Sequence, residues 1–387
     1  MSMFRTSKSV QVSLCNESSK ARKATEFRFL LSLGMMLAFA TALAQAKSYT
    51  KIVVFGDSLS DTGNVAHLSE AKYPFRVPGT AADYTDGRFT DGFDTIPAAQ
   101  KYFGVWIEQF AASLPTHPEV KNSLDGGTNY AYGYATTADK TGEFTFGDSD
   151  QYSVEVENIG QQINDYLATN PKINDSTLFV VWGGANDLIH AGQLTPDEVG
   201  PYLWNAATQE TLNIQRLIEA GATQFIIPNL PPLGLVPRLN GSLATSGPAT
   251  YAASVYNGFL ATGISVLRDL YPHRNMTIYQ LDVFTLFAEI VKSPASFSLG
   301  NVTDSSRGQF KVDPDTYLFW DDLHPTTHGH SILADAAETL VSQHQCNSAL
   351  HATAYFLQKL KSKQLVPLAG RRVADASPAK GFLRVPV

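Results

Sequence analysis

The amino-acid sequence predicts an α/β protein in three layers, α/β/α, with a central, mainly parallel sheet between helices and long loops over the active end. Apolar, β-branched runs at residues 52–55, 178–182, 224–228 and 277–281 are continuous rather than alternating, as strands covered on both faces are. Helical spacing fills the intervals, over 156–168, 196–220, 251–270 and 326–344. Strands alternating with helices build a parallel sheet. In such folds the reactive groups gather beyond the carboxyl ends of the strands, so the residues following each apolar run carry the interest.

The 387 residues, 44% hydrophobic and 11% aromatic, suffice for a core of one or two domains. Residues 1–46 stand apart. Basic residues from Arg5 to Arg28 precede the apolar stretch 29–43, which ends in Ala44-Gln45-Ala46, the pattern of a signal peptide cleaved after Ala46. A membrane anchor is the alternative, but the stretch is shorter than the roughly 20 apolar residues a spanning helix needs. The expected product is secreted or extracytoplasmic. Cleavage removes six Lys/Arg and two Asp/Glu, so the balance of 29 minus 36 becomes 23 minus 34, or −11, which argues against a nucleic-acid partner. Cys15 falls in the leader, leaving Cys346 alone and no internal disulfide to expect. One domain is expected over 47–348. Residues 349–387 are expected to be a helix and, after about residue 364, a poorly ordered tail carrying Arg371, Arg372, Lys380 and Arg384.

A serine hydroxyl is a weak nucleophile at neutral pH; it needs a base, a group to orient that base, and donors for the oxyanion. In "KIVVFGDSLSDTGN", residues 51–64, Ser58 follows the first strand directly, where a helix is expected to begin and backbone N–H groups point outward. An isolated Gly-Asp-Ser more often marks a helix cap, on Asp57 or Ser58. A second copy ending at Ser149 follows no continuous strand pattern and is discounted. In "GGTNYAYGYATT", residues 126–137, Gly133 offers its N–H to an oxyanion; a Gly-rich turn among tyrosines is the other reading. "LFVVWGGANDLI", residues 178–189, ends a strand in glycines and leaves Asn186 at the sheet's edge, as an oxyanion donor or, with Asp187, as a cap.

The base comes from "YLFWDDLHPTTHGHSILA", residues 317–334. Asp321 and His324 are three residues apart, so one turn places them on the same side, whereas Asp322 tends to face elsewhere. Pro325, at a helix's first turn, is expected to fix the chain after His324. His324, His328 and His330 raise a zinc reading, but no H-E-x-x-H and no nearby carboxylate or cysteine ligand set supports it. His328 and His330 read instead as helix-surface or satisfied core residues. Residues 65–125 and 136–154, rich in Gly, Pro, Tyr, Phe and Asp, read as long loops or an inserted cap.

With these four stretches in this order, the sequence resembles the GDSL family of SGNH hydrolases. The family's serine, glycine, asparagine and histidine fall on Ser58, Gly133, Asn186 and His324, with Asp321 completing the triad. "FGDSLSDTGN", "GGTNYAYG", "GGANDL", "NLPPLGLVP" and "FWDDLHPT" look like family stretches in family order, over roughly residues 50–345. Tyr134 departs from the pattern, standing where N-F-A-x-G-G-A carries a second glycine. The resemblance implies a flavodoxin-like fold and a serine ester hydrolase with Ser58, Gly133 and Asn186 around the oxyanion, and no cofactor or metal. No G-x-S-x-G elbow surrounds Ser58, since Ser60 occupies the last glycine's place, which sets the chain apart from α/β-hydrolases.

The family includes lipases, lysophospholipases, acyltransferases and carbohydrate acetylesterases. With no separate carbohydrate-binding module in view, the expectation is a lipid or small-molecule acyl ester, with peripheral contact with a lipid surface compatible. Tyr73, Phe75, Tyr84, Phe89, Phe93, Tyr130, Tyr132 and Tyr134 are candidates for an acyl groove or sugar platform, or simply pack the loops. A non-catalytic binding protein on the same fold is the alternative of another class; it would be expected to lose a catalytic residue, and none is lost.

Overall fold

The computed structural model of the protein describes residues 48–79, 84–85, 87–91, 102–147 and 151–364. The expected leader with Cys15, Phe93, Ser149 and the tail after residue 364 lie outside them. The chain divides into two units; one takes in Lys47–Gln343, and the described residues 344–364 belong to the other. Among the described residues no helix is long and apolar enough to cross a membrane.

In chain order the elements are β1 (Lys51–Gly56), α1 (Asn64–Lys72), α2 (Trp106–Ser113), β2 (Thr141–Phe146), β3 (Tyr152–Glu157), α3 (Ile159–Ala168), β4 (Thr177–Trp182), α4 (Ala185–Ala191), α5 (Pro196–Glu219), β5 (Gln224–Pro228), α6 (Leu243–Leu270), β6 (Thr277–Leu281), α7 (Val283–Lys292), β7 (Asn301–Ser305), β8 (Tyr317–Phe319) and α8 (Thr327–Gln364). The last helix begins in the larger unit and ends in the smaller.

The central sheet has the order β1-β4-β5-β6 and is parallel throughout, Lys51 facing Thr177 and Gly56 facing Trp182 in register. Every residue of β4 and β5 is buried, as a sheet covered on both faces requires. These are the four strands the apolar runs predict. Residues 128–132 run along the free edge of β1: Val54 N–H donates to Thr128 O at 3.0 Å, Tyr130 N–H to Val54 O at 2.8 Å and Tyr132 N–H to Gly56 O at 3.2 Å. The glycine-rich stretch is thereby delivered to the carboxyl end of β1, next to Ser58. Gln162 of α3 pins the same strand end, accepting from Gly56 N–H and donating to Gly56 O, both at 2.9 Å.

Several boundaries differ from expectation. The helix expected from residue 156 starts at Ile159, because Val154 and Val156 are buried while Glu155 is exposed, the two-residue period of a strand. That strand pairs antiparallel with β2, so a hairpin occupies the stretch read as loop. Helices α1 and α2 interrupt the other long loop, and Trp106, Ile107 and Phe110 of α2 enter the main core. Helix α6 begins at Leu243 rather than at 251, passing through Pro248, whose missing N–H removes one helical bond. Helix α5 starts as its sequence implies, with Thr195 and Glu198 forming a capping box ahead of Pro196.

Candidate active site

Ser58 lies just beyond β1 in a tight turn, where Ser60 and Asp61 both donate their N–H to Asp57 O at 3.0 Å. The helix expected to begin there starts only at Asn64, and neither Asp57 nor Ser58 caps it. Asp61 does: its Oδ1 accepts the N–H groups of Gly63 at 2.8 Å and Asn64 at 2.7 Å, and its Oδ2 that of Val65 at 3.3 Å. Ser58 is thus left unused by the helix, and its hydroxyl lies 2.9 Å from His324 Nε2.

His324 is presented by a loop rather than a helix. Phe319, at the end of β8, bridges to Pro325, and Trp320 N–H donates to His324 O at 2.8 Å. Pro325 therefore closes this loop ahead of α8, which starts at Thr327, instead of sitting in the helix's first turn. Within the loop Asp321 Oδ1 accepts the N–H groups of Leu323 at 2.8 Å and His324 at 2.7 Å, while Oδ2 lies 2.8 Å from His324 Nδ1. An ionised carboxylate only accepts, so Nδ1 carries the proton and Nε2 is left to accept from Ser58. Burial opposes the charge on Asp321, but His324 and the two N–H groups outweigh it and hold the carboxyl well below its usual range. Burial likewise opposes charging His324; Asp321, with Asp57 behind it, raises the imidazole above its ordinary value. Asp322 faces away and pairs with Arg238 at 2.8 Å.

On the opposite side Asn186, in α4, donates through Nδ2 to Ala135 O at 2.9 Å, which leaves the second hydrogen of its amide unused by that bond. Asp187 accepts from Thr137 N–H and Oγ1, each at 3.0 Å. The two side chains tie residues 135–137 to the start of α4.

Gly133 does not occupy the expected role. Its N–H donates to the buried carboxylate of Asp61 at 2.9 Å and is not directed to an oxyanion. The glycine is needed for another reason: a Cβ there would come within 2.4 Å of the Phe89 ring. The following residue, Tyr134, has φ +73°, a left-handed conformation uncommon for a side-chain-bearing residue. Among the described residues no acceptor faces the backbone N–H of Tyr134 or that of Ser58.

Ser58, Asn186 and His324 open onto a partly open cavity of about 50 Å³ whose walls include Leu59, Ile189, Val236, Phe287, Phe319 and Leu323. The Phe89 ring lies 5.2 Å from the His324 ring. Asp57, beside the nucleophile, accepts from Leu59 N–H at 3.0 Å, and burial pushes its carboxyl up to about 7. His328 stacks on Tyr102 and its Nδ1 bonds Asp315 O. His330 is fully buried with neither ring nitrogen bonded, so it is not the satisfied core residue expected; burial draws it down to about 3, in the neutral form. Among the described residues no three His, Cys, Asp or Glu side chains cluster as a metal site would require.

A family model described as GDSL-like Lipase/Acylhydrolase matches residues 52–337. A phosphatidylcholine-sterol acyltransferase of Aeromonas hydrophila is 24% identical over 364 residues, covering 81% of this chain and 96% of that protein. A GDSL esterase/lipase of Arabidopsis thaliana is 26% identical over 342 residues, covering 77% of this chain and 89% of that one. The anther-specific proline-rich protein APG of Arabidopsis thaliana is 26% identical over 327 residues; the match takes in 74% of this chain but 60% of that protein's length.

Proposed function

The chain belongs to the GDSL-like lipase/acylhydrolase family and is an ester-bond hydrolase; on that premise we propose that it cleaves carboxylic esters of aliphatic acyl groups through Ser58, His324 and Asp321. The observation that carries this reading is the continuous chain from Ser58 Oγ to His324 Nε2 and from Nδ1 to Asp321, at 2.9 and 2.8 Å. His324 takes the hydroxyl proton as Ser58 Oγ attacks the carbonyl carbon. The imidazolium, held by Asp321, then protonates the departing alcohol and leaves an acyl-serine. Water, deprotonated by the same imidazole, attacks the acyl carbon and returns the serine.

The oxyanion donors in this proposal are the N–H of Ser58, the second N–H of the Asn186 amide and the N–H of Tyr134 in place of Gly133. Support for the exchange is that Gly133 is committed to Asp61 while the N–H groups of Ser58 and Tyr134 have no acceptor among the described residues. A left-handed residue directs its N–H differently from its neighbour, and groups left unpaired near a buried site await a ligand.

The cavity supports the choice of substrate class. Its walls are aliphatic and aromatic, and about 50 Å³ accommodates a few methylene-sized groups, a water needing roughly 10–15 Å³ by the same measure. Short to medium acyl chains fit this space. The relative named a phosphatidylcholine-sterol acyltransferase supports a lipid ester and adds a second reading, in which an alcohol replaces water in the second step. The test is Ser58→Ala beside the unaltered enzyme on p-nitrophenyl acetate, butyrate, octanoate and palmitate. Expected are a rate optimum at butyrate or octanoate and a loss on the order of a millionfold in the variant. Near-normal turnover by Ser58→Ala would overturn the nucleophile, and a sharp optimum at acetate would overturn the acyl-chain reading.

A further inference from the structure

We propose that Tyr84 is a positioning residue of the catalytic base, acting through Asp321. Its hydroxyl donates to Asp321 Oδ2 at 2.8 Å, the same oxygen that receives His324 Nδ1–H. Together with the two N–H groups on Oδ1, this leaves the carboxylate no freedom to rotate away from the imidazole. The phenol ring is itself placed: it meets Trp320 edge-on at 6.1 Å and lies under the guanidinium of Arg307 at 4.7 Å.

The short stretches 84–85 and 87–91 carry this group and fasten the base loop at both of its ends. Thr85 N–H donates to Thr90 O at 2.9 Å, Thr90 Oγ1 donates to Pro325 O at 2.9 Å, and Asp91 Oδ1 accepts Thr327 N–H at 2.6 Å, at the start of α8. Phe89 of the second stretch covers the imidazole. Stretches that sequence reading leaves as loop therefore touch Asp321, His324 and the helix behind them.

The charged and titratable groups facing His324 are Asp321, Asp57, Arg238 and His330; those facing Tyr84 are Asp321, Arg307 and Asp322. Burial first, then the adjacent Asp321, raises the phenol's pKa, so it stays a donor throughout the working range. A donor on Oδ2 withdraws part of the carboxylate's charge from the imidazolium. Removing it raises the basicity of His324, and since the neutral imidazole is the active form, the acid limb of kcat/KM moves to higher pH.

This role rests on the serine-hydrolase reading above, and the experiment separates the two. Tyr84→Phe keeps the ring against Trp320 and Arg307 and deletes only the hydroxyl. The pH dependence of kcat and kcat/KM is measured with p-nitrophenyl butyrate for both enzymes, with fluorophosphonate labelling of the unaltered one. Expected are a roughly tenfold fall in kcat with KM unchanged, and an acid limb displaced upward by roughly half a pH unit. The limb's midpoint does not depend on how much enzyme is folded, so a destabilised variant still reports it. A limb in its original place, whether or not kcat falls, overturns the role of Tyr84 alone when Ser58 labels; failure of Ser58 to label overturns the role and the hydrolase site together.

Discussion

The base and the oxyanion donors approach Ser58 from two sides, and the two sides are built differently. Asp321 and His324 belong to one loop of seven residues between β8 and α8, and their mutual bond spans three positions. The proposed donors come from three separate stretches, residues 58, 134 and 186, and the directions of the groups around them depend on partners far away in sequence, such as Asp61 for Gly133 and Ala135 for Asn186. A local turn declares its geometry in its spacing. An N–H direction is decided by whatever long-range acceptor captures its neighbours, so a motif letter locates the loop but not the donor.

The sharpest way to break the base side is Asp321→Asn. The amide cannot accept Nδ1–H while donating nothing, so the imidazole loses its tautomer, and kcat is expected to fall on the order of ten-thousandfold. The pH profile carries a second sign. Asp321 holds His324 above the ordinary 6.5, so the acid limb of the unaltered enzyme has its midpoint above that value. With Asp321 neutral, burial acts unopposed by its charge and the limb of the residual activity moves down. Rate measurements from pH 4 to 9 check both; an unmoved limb or a loss below tenfold removes Asp321 from the assignment.

On the oxyanion side the loss is smaller, because several donors share the charge. Asn186→Ala is expected to reduce kcat by roughly a hundredfold to a thousandfold with KM nearly unchanged, the mark of a contact made in the transition state. Steady-state kinetics on p-nitrophenyl butyrate decide it. A rise in KM at constant kcat instead assigns Asn186 to ground-state binding.

How much of this was legible follows the same division. The parallel strands were readable from their apolar runs, most clearly β1, β4 and β5, which are buried almost throughout; β6, with Gln280 exposed, shows the weakest run. Ser58, Asn186, Asp321 and His324 were readable as residue types beyond strand ends; Ser58, Asn186 and His324 line one cavity, and Asp321 bonds His324 from behind it. The hairpin β2–β3 was missed although Phe144, Phe146, Val154 and Val156 alternate with polar residues, because glycine and aspartate around it dominated the reading. Tyr84 stood out only as one of the loop aromatics: it lies 237 residues from Asp321 in an aperiodic stretch, and only the folded chain brings them together. Gly133 failed for a related reason, since Asp61, 72 residues away, already holds its N–H.

That last bond yields the mildest of the predictions. Asp61 is fully buried and accepts four backbone N–H groups, from Gly63, Asn64, Val65 and Gly133, and so joins the turn after Ser58 to the loop that carries Tyr134. Burial pushes its carboxyl up to about 6 while the N–H groups oppose the shift, so at pH 7.5 it is an anion whose oxygens can only accept. Asp61→Asn replaces one oxygen with an NH₂ that faces N–H donors, and at least one of them loses its acceptor. An unpaired buried donor costs about 1–3 kcal/mol, which corresponds to a fall in Tm of about 1–5 °C for a chain of this size. Catalysis is expected to suffer less than in Asn186→Ala, under about tenfold, because Asp61 holds the loop and touches no reacting atom. Thermal unfolding and kcat measured together separate the cases: an unchanged Tm would show that the Gly133 bond is dispensable, and a kcat loss matching Asn186→Ala would place the Gly133 peptide back among the donors.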